Sequence, residues 1–181
     1  MAERSPYPHR TYGLRLTTNI RLRWMAIIGQ SVAVVLVAYW LSFPLPVSLC
    51  FALIACSAWL NLFLAFRYPA AHRLQSMASF GILTFDALQL SSLLFLTGGL
   101  TNPFSLLMTV PVVVSATSLP LRLTAALGAM VVALATILVF FHLQLPWFPG
   151  TALEMPFIYV AGMWIALLPL VMVGVMNKVF T

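Results

Sequence analysis

Apolar residues along this chain gather into six long runs, 24–43, 47–66, 76–96, 104–119, 123–143 and 157–176. Each approaches the roughly 20 residues that a helix needs to cross a bilayer, the fourth being the shortest. Between the runs stand residues that interrupt helices: Pro44 and Pro46, Pro69, Gly98 with Gly99 and Pro103, Pro120, and a longer stretch holding Pro146, Pro149, Gly150 and Pro156. The pattern predicts an all-α polytopic membrane protein of six transmembrane helices. Residues 1–23 form a basic N-terminal segment, 24–178 the bundle, and 179–181 the start of a linker.

Composition agrees, since 62% of residues are hydrophobic and 7% charged, too few polar side chains to cover a water-facing surface. The net charge of +6 changes the picture only through its placement. Basic residues stand singly at the ends of apolar runs, which excludes a nucleic-acid surface and makes them topology signals. All nine fall on one side: Arg4, Arg10, Arg15, Arg21 and Arg23, then Arg67 and Arg73, then Arg122, then Lys178. Because cytoplasmic segments collect positive charge, this predicts both ends in the cytoplasm of a bacterial inner membrane. The GGLTNPF and QLPWFPGTALEMP loops then face the periplasm. The N-terminus lacks a short apolar region ending at a small-residue cleavage site, so the first run is expected to remain as a spanning helix.

Candidate chemistry is sparse. Asp86 is the acidic residue near the middle of a predicted span, where an ionised side chain costs at least about 2.5 kcal/mol, so it needs a partner or a proton. Gln89 lies one turn later on the same face, and the two form a candidate intramembrane polar site or a hydrogen-bonded link between helices. Cys50 and Cys56 lie about 240° apart around one helix, which excludes a bond between them and leaves them as packing residues. His9, His72 and His142 have no metal-ligand spacing and read as solvated or interfacial, so no metal site is predicted. Trp24, Trp40, Trp147 and Tyr68 sit near run ends as interfacial anchors. Small residues mark two packing faces, Ala125, Ala129 and Ala133 in the fifth run and Gly162, Ala166 and Gly174 in the sixth, suited to this chain or a second copy. Pro111 and Pro169 fall inside predicted helices, where each can kink the helix or, for Pro169, serve as a hinge.

The most specific local signal is Thr97, Gly98, Gly99, Leu100, Thr101, Asn102, Pro103, Phe104. Two glycines permit a tight reversal, and Asn102 before Pro103 has the form of an N-cap and first helical residue. Physics alone describes a helical hairpin turn. The same residues suit a quinone head group: Phe104 to stack on the ring, Asn102 or a threonine hydroxyl to donate to its carbonyls, and the glycines to leave space.

This segment resembles the RegB/PrrB group of redox-responsive sensor histidine kinases, whose membrane domain carries a GGxxNPF heptapeptide. The likeness extends through FDALQLSSLLFLTGGLTNPFSLL and includes LRWMAIIGQ in the first run. It implies a sensor domain that binds ubiquinone as its ligand, with Gly98, Gly99, Thr101, Asn102, Pro103 and Phe104 as the quinone-binding residues. It further implies a homodimer formed through a parent kinase and a response regulator reached through a kinase region beyond Thr181. These residues themselves hold no catalytic group. The competing expectation is a small proton-coupled transporter or permease using Asp86.

Overall fold

The computed structural model describes residues 16–69, 74–144, 146–148, 151–152 and 156–180. Helix α1 spans Leu16–Val35 and continues through a π-helical turn, Leu36–Trp40. Its inward face reads Asn19, Arg23, Ile27 and Val34, the helical spacing of buried positions, while Met25, Ile28, Val32 and Val35 face outward as lipid-facing side chains do. Helix α1 starts about two turns before the expected Trp24. Arg21 and Arg23, taken as flanking charges, lie inside it, and Trp24 is correspondingly removed from the helix end. The helix tolerates Arg23 because that side chain turns inward to a partner.

Helices α2 (Val47–Arg67) and α3 (Ser76–Leu96) keep their expected limits, bounded by Pro46 and by the glycine turn. The fourth run departs from expectation. It forms a 3-10 turn, Gly99–Thr101, then a 3-10 helix, Pro103–Thr109, and only then helix α4, Val110–Ser118. Pro111 sits in the first turn of α4, where its missing N–H leaves no intrahelical bond unmade. It therefore marks the junction between helix types instead of kinking a helix interior. Helix α5 covers Leu121–Phe140, ending before the expected Leu143 because Phe141 turns extended. The connection to α6 (Phe157–Phe180) contains two short antiparallel strands, β1 (Pro146–Phe148) and β2 (Thr151–Ala152), the one departure from an all-α class among the described residues. Pro169 lies within the continuous α6.

Five of these helices, α1 with its π turn, α2, α3, α5 and α6, are long and apolar enough to cross a membrane, and Pro103–Ser118 is a shorter apolar segment of the same character. The protein is a multi-pass membrane protein by this measure. Its main core joins α3 to α6 through Leu94, Met108, Val112, Leu127, Val131 and Leu167. Two smaller clusters join α1 and α2 to α3: Ile27, Val34, Cys50, Ile54 and Leu93 in one, Leu64, Leu74 and Ile82 in the other. Helix α3 thus belongs to both halves of the bundle.

Glycine brings the outer helices close. A Cβ at Gly128 would lie 3.0 Å from Val171 Cγ1, and one at Gly174 would lie 3.2 Å from Val112 Cγ1. Gly174 is therefore a packing position within the chain, whereas Ala125, Ala129, Ala133, Gly162 and Ala166 are exposed. Arg4, Arg10, Arg15, His9, His72, Arg73, Thr181 and the side chains of Trp147 and Lys178 lie outside the described residues, with the expectations placed on them.

Candidate functional site

The heptapeptide folds into a self-bonded turn. Gly98 takes φ 102° and Gly99 φ 59°, left-handed conformations that favour glycine and reverse the chain after α3. Asn102 caps the following 3-10 helix: its Oδ1 accepts from the Phe104 backbone N–H at 2.9 Å. Its Nδ2 donates to the Thr97 carbonyl at 3.1 Å and to the Thr97 hydroxyl at 2.9 Å, while that hydroxyl donates to Leu93 O at 2.8 Å. Thr101 Oγ1 donates to Gly98 O at 2.6 Å. The polar side chains of the motif are thus occupied in holding the turn, and Pro103 opens the helix that Asn102 caps. Phe104 is the exception, with 47% of its surface exposed.

A residue far along the chain closes the turn from outside. His142 Nδ1 lies 2.9 Å from Leu138 O, and a Cβ on Gly99 would come within 2.7 Å of the His142 ring and 2.9 Å of that same carbonyl. A carbonyl only accepts, so Nδ1 carries the proton of this bond. Leu143 N–H donates to Phe95 O at 2.8 Å, tying the end of α5 to the end of α3. Directly below, Leu138 and Phe95 enter the wall of an apolar groove of about 480 Å³ between α2, α3 and α5, which Leu49, Leu88 and Ile137 also line and onto which Cys56 opens. Cys50, by contrast, is buried, and both cysteines are free.

Asp86 and Gln89 lie elsewhere, on the face of α3 that meets α1. Asp86 Oδ1 is 3.0 Å from Arg23 Nη2, with Arg23 5% and Asp86 21% exposed. Arg23 also reaches Ser57 Oγ on α2 at 3.4 Å and stands 5.7 Å over the Phe85 ring. Gln89 takes a different partner, donating through Nε2 to Gln30 Oε1 at 3.2 Å. Asp86 and Gln89 thus make two separate contacts from α3 to α1, one through Arg23 and one through Gln30. Arg23 and Gln30 were missed because each stands about 60 residues from its partner; their spacing with Asn19 on one face of α1 was the available signal. About 18 Å of helix separates Asp86 from Gly98, so the two candidate sites stay apart.

An apolar-faced helical bundle with, among the described residues, one internal ion pair and an open apolar groove defines a multi-pass membrane domain. The chain is 44% identical over 153 residues, 84% of its length, to the sensor histidine kinase RegB of Cereibacter sphaeroides, and covers 33% of that protein. A RegB from a further Cereibacter sphaeroides strain is 44% identical over 78 residues, 43% of this chain and 17% of that protein. No family model matches the chain, and no solved structure matches it significantly. The chain belongs to the RegB/PrrB family of sensor histidine kinases, and spans about a third of the length of the longer-matching relative.

Proposed function

We propose that this chain is the transmembrane sensor domain of a histidine kinase, binding ubiquinone beside the Gly98–Phe104 turn and regulating a downstream kinase region. The observation that carries the reading is the junction of turn and groove. An apolar trough opens between α2, α3 and α5, and its upper wall, Leu138 and Phe95, is bonded to the residues that close the heptapeptide turn. A prenyl tail matches the trough and a ring matches exposed Phe104. Because the Nδ2 donors of Asn102 are used within the turn, its role in this reading is to hold Phe104 and the glycines in place.

Oxidised quinone only accepts hydrogen bonds, whereas its reduced form also donates them, so redox state becomes a difference in binding energy. A difference of about 1–3 kcal/mol is a 5–150-fold preference, enough to shift a two-state bundle. Helix α6 is the output, since it packs on α4 and α5 and leads towards the kinase region the family relation implies. Homodimerisation and transfer to a response regulator follow from the same relation.

Six spans with both ends in the cytoplasmic side of an inner membrane complete the proposal. The Pro103–Ser118 segment has only 16 residues. Its first part is 3-10 helix, which rises about 2.0 Å per residue against 1.5 Å, so the segment reaches about 27 Å, close to the hydrocarbon thickness. A carrier using Asp86 is the rival reading; the Arg23 pairing argues against it, because a carboxylate held by a guanidinium is not a free proton carrier. Proton flux into liposomes that vanished in Asp86→Asn would favour the carrier.

The test uses the full-length kinase in nanodiscs, with autophosphorylation measured against oxidised and reduced ubiquinone. The unmodified protein should respond to quinone redox state and Phe104→Ala should not. An equal redox response in both would refute the assignment.

A further inference from the structure

Three helices present polar side chains to one another below the Cys50 and Ile54 layer. On α1, Asn19 and Arg23 are one turn apart; on α2, Ser57 and Asn61 are one turn apart; on α3, Asp86 faces them. Arg23 is bonded to Asp86 and Ser57 through Nη2 alone, and Asn61 Nδ2 donates to Ile20 O at 3.1 Å, which sets Asn61 against the Asn19–Arg23 turn of α1. Asn19, Arg23 and Asn61 are 4%, 5% and 0% exposed, yet Arg23 Nε, Arg23 Nη1, Asn19 Nδ2 and Asn61 Oδ1 have no protein partner. Buried groups of this kind are costly unless hydrogen-bonded.

We propose that Asn19, Arg23 and Asn61 form a buried hydration site in the α1–α2–α3 seam, holding a small cluster of water against the Arg23–Asp86 pair. The ligand class follows from the donor set. Arg23 and Asp86 cancel in charge, so an ion is not required. The free atoms are mostly N–H donors with one amide oxygen, which calls for a neutral oxygen species that accepts from several groups and donates to one. Water does both and typically makes about three bonds, so about two molecules satisfy the set. Depth agrees with access from the end where α1 begins, because Asn19 and Arg23 lie only about 5 and 10 Å into that helix. The layer beyond is apolar: Ile27, Ile54, Cys50, Val34 and Leu93 close it. Water at the ion pair raises the local dielectric, so α1 and α2 can move against α3 without stranding a bare charge. The site stands independently of quinone binding.

Water-edited solid-state NMR on the isotopically labelled chain in lipid bilayers tests the site. Magnetisation from water should build up on Arg23 Nε–H and on the Asn19 and Asn61 side-chain amides at least about fivefold faster than on the Ile54 and Leu93 methyls. Build-up at Arg23 and Asn61 as slow as at Ile54 would overturn the proposal. In Asn61→Leu, water transfer to Arg23 should fall while the Ile54 and Leu93 shifts stay in place, showing that the fold persists. Undiminished transfer to Arg23 in that variant would also overturn it.

Discussion

Removing the charge of Asp86 while keeping its shape is the sharpest perturbation of the bundle. In Asp86→Asn, Arg23 stays inside the seam at 5% exposure with Ser57 as its remaining close partner at 3.4 Å. Stranding one member of a buried ion pair costs about 3–5 kcal/mol. The 21% exposure of Asp86 places the expected loss near the lower end, about 3 kcal/mol. Arg23→Gln strands the more exposed partner, for which about 2 kcal/mol is expected. The double variant carries neither charge and should lose about 2 kcal/mol, not the sum of about 5 kcal/mol, a coupling of about 3 kcal/mol. Unfolding by SDS titration in mixed micelles, followed by far-UV circular dichroism, measures all four proteins. If the single losses add in the double variant to within about 0.5 kcal/mol, the pair does not fasten α1 to α3 and the reasoning fails.

Gly99→Ala places a Cβ 2.7 Å from the His142 ring at φ 59°, and should lose about 3 kcal/mol, whereas Gly162→Ala, with nothing within 4 Å, should be neutral or slightly stabilising; thermal unfolding separates them. Asn102→Asp keeps the cap on Phe104 N–H but loses both donations to Thr97, for about 2 kcal/mol, and Asn102→Ala should lose about 1 kcal/mol more in the same assay. Trp164→Phe removes the 3.0 Å indole bond to Thr136 Oγ1 between α5 and α6 and should lower stability by about 1 kcal/mol, measured by chemical denaturation.

Apolar run length, with Pro46 before α2 and the Gly98–Gly99 turn after α3, located those two helices; α6 starts where Pro156 predicts but runs past the expected 176 and carries Pro169 inside it. Run length misplaced the start of α1. A charge in a hydrophobic run reads as a flank, and only the fold reveals that Arg23 meets Asp86 from another helix. The fourth run looked like one helix because hydropathy does not distinguish 3-10 from α geometry; Pro103 and Pro111 carried that information. At the heptapeptide the capping role of Asn102 was readable from Asn-Pro. Its bonds back to Thr97 are made within the turn once Gly98 and Gly99 reverse the chain, whereas the closure of Gly99 by His142 depends on how α5 ends beside α3, which no local pattern encodes. The two amides Gln30 and Gln89 illustrate the same limit: each sits on a legible helix face, but their meeting is a property of the bundle.

The most direct test of the sensory assignment is ubiquinone binding to the chain in nanodiscs, read as saturable quenching of tryptophan fluorescence. Unmodified protein is compared with Phe104→Ala and with Ala52→Leu, which fills the groove. The account predicts saturable binding that weakens at least about tenfold in both variants while their stability stays near that of the unmodified protein. Equal binding by all three would contradict a quinone site at the turn and groove.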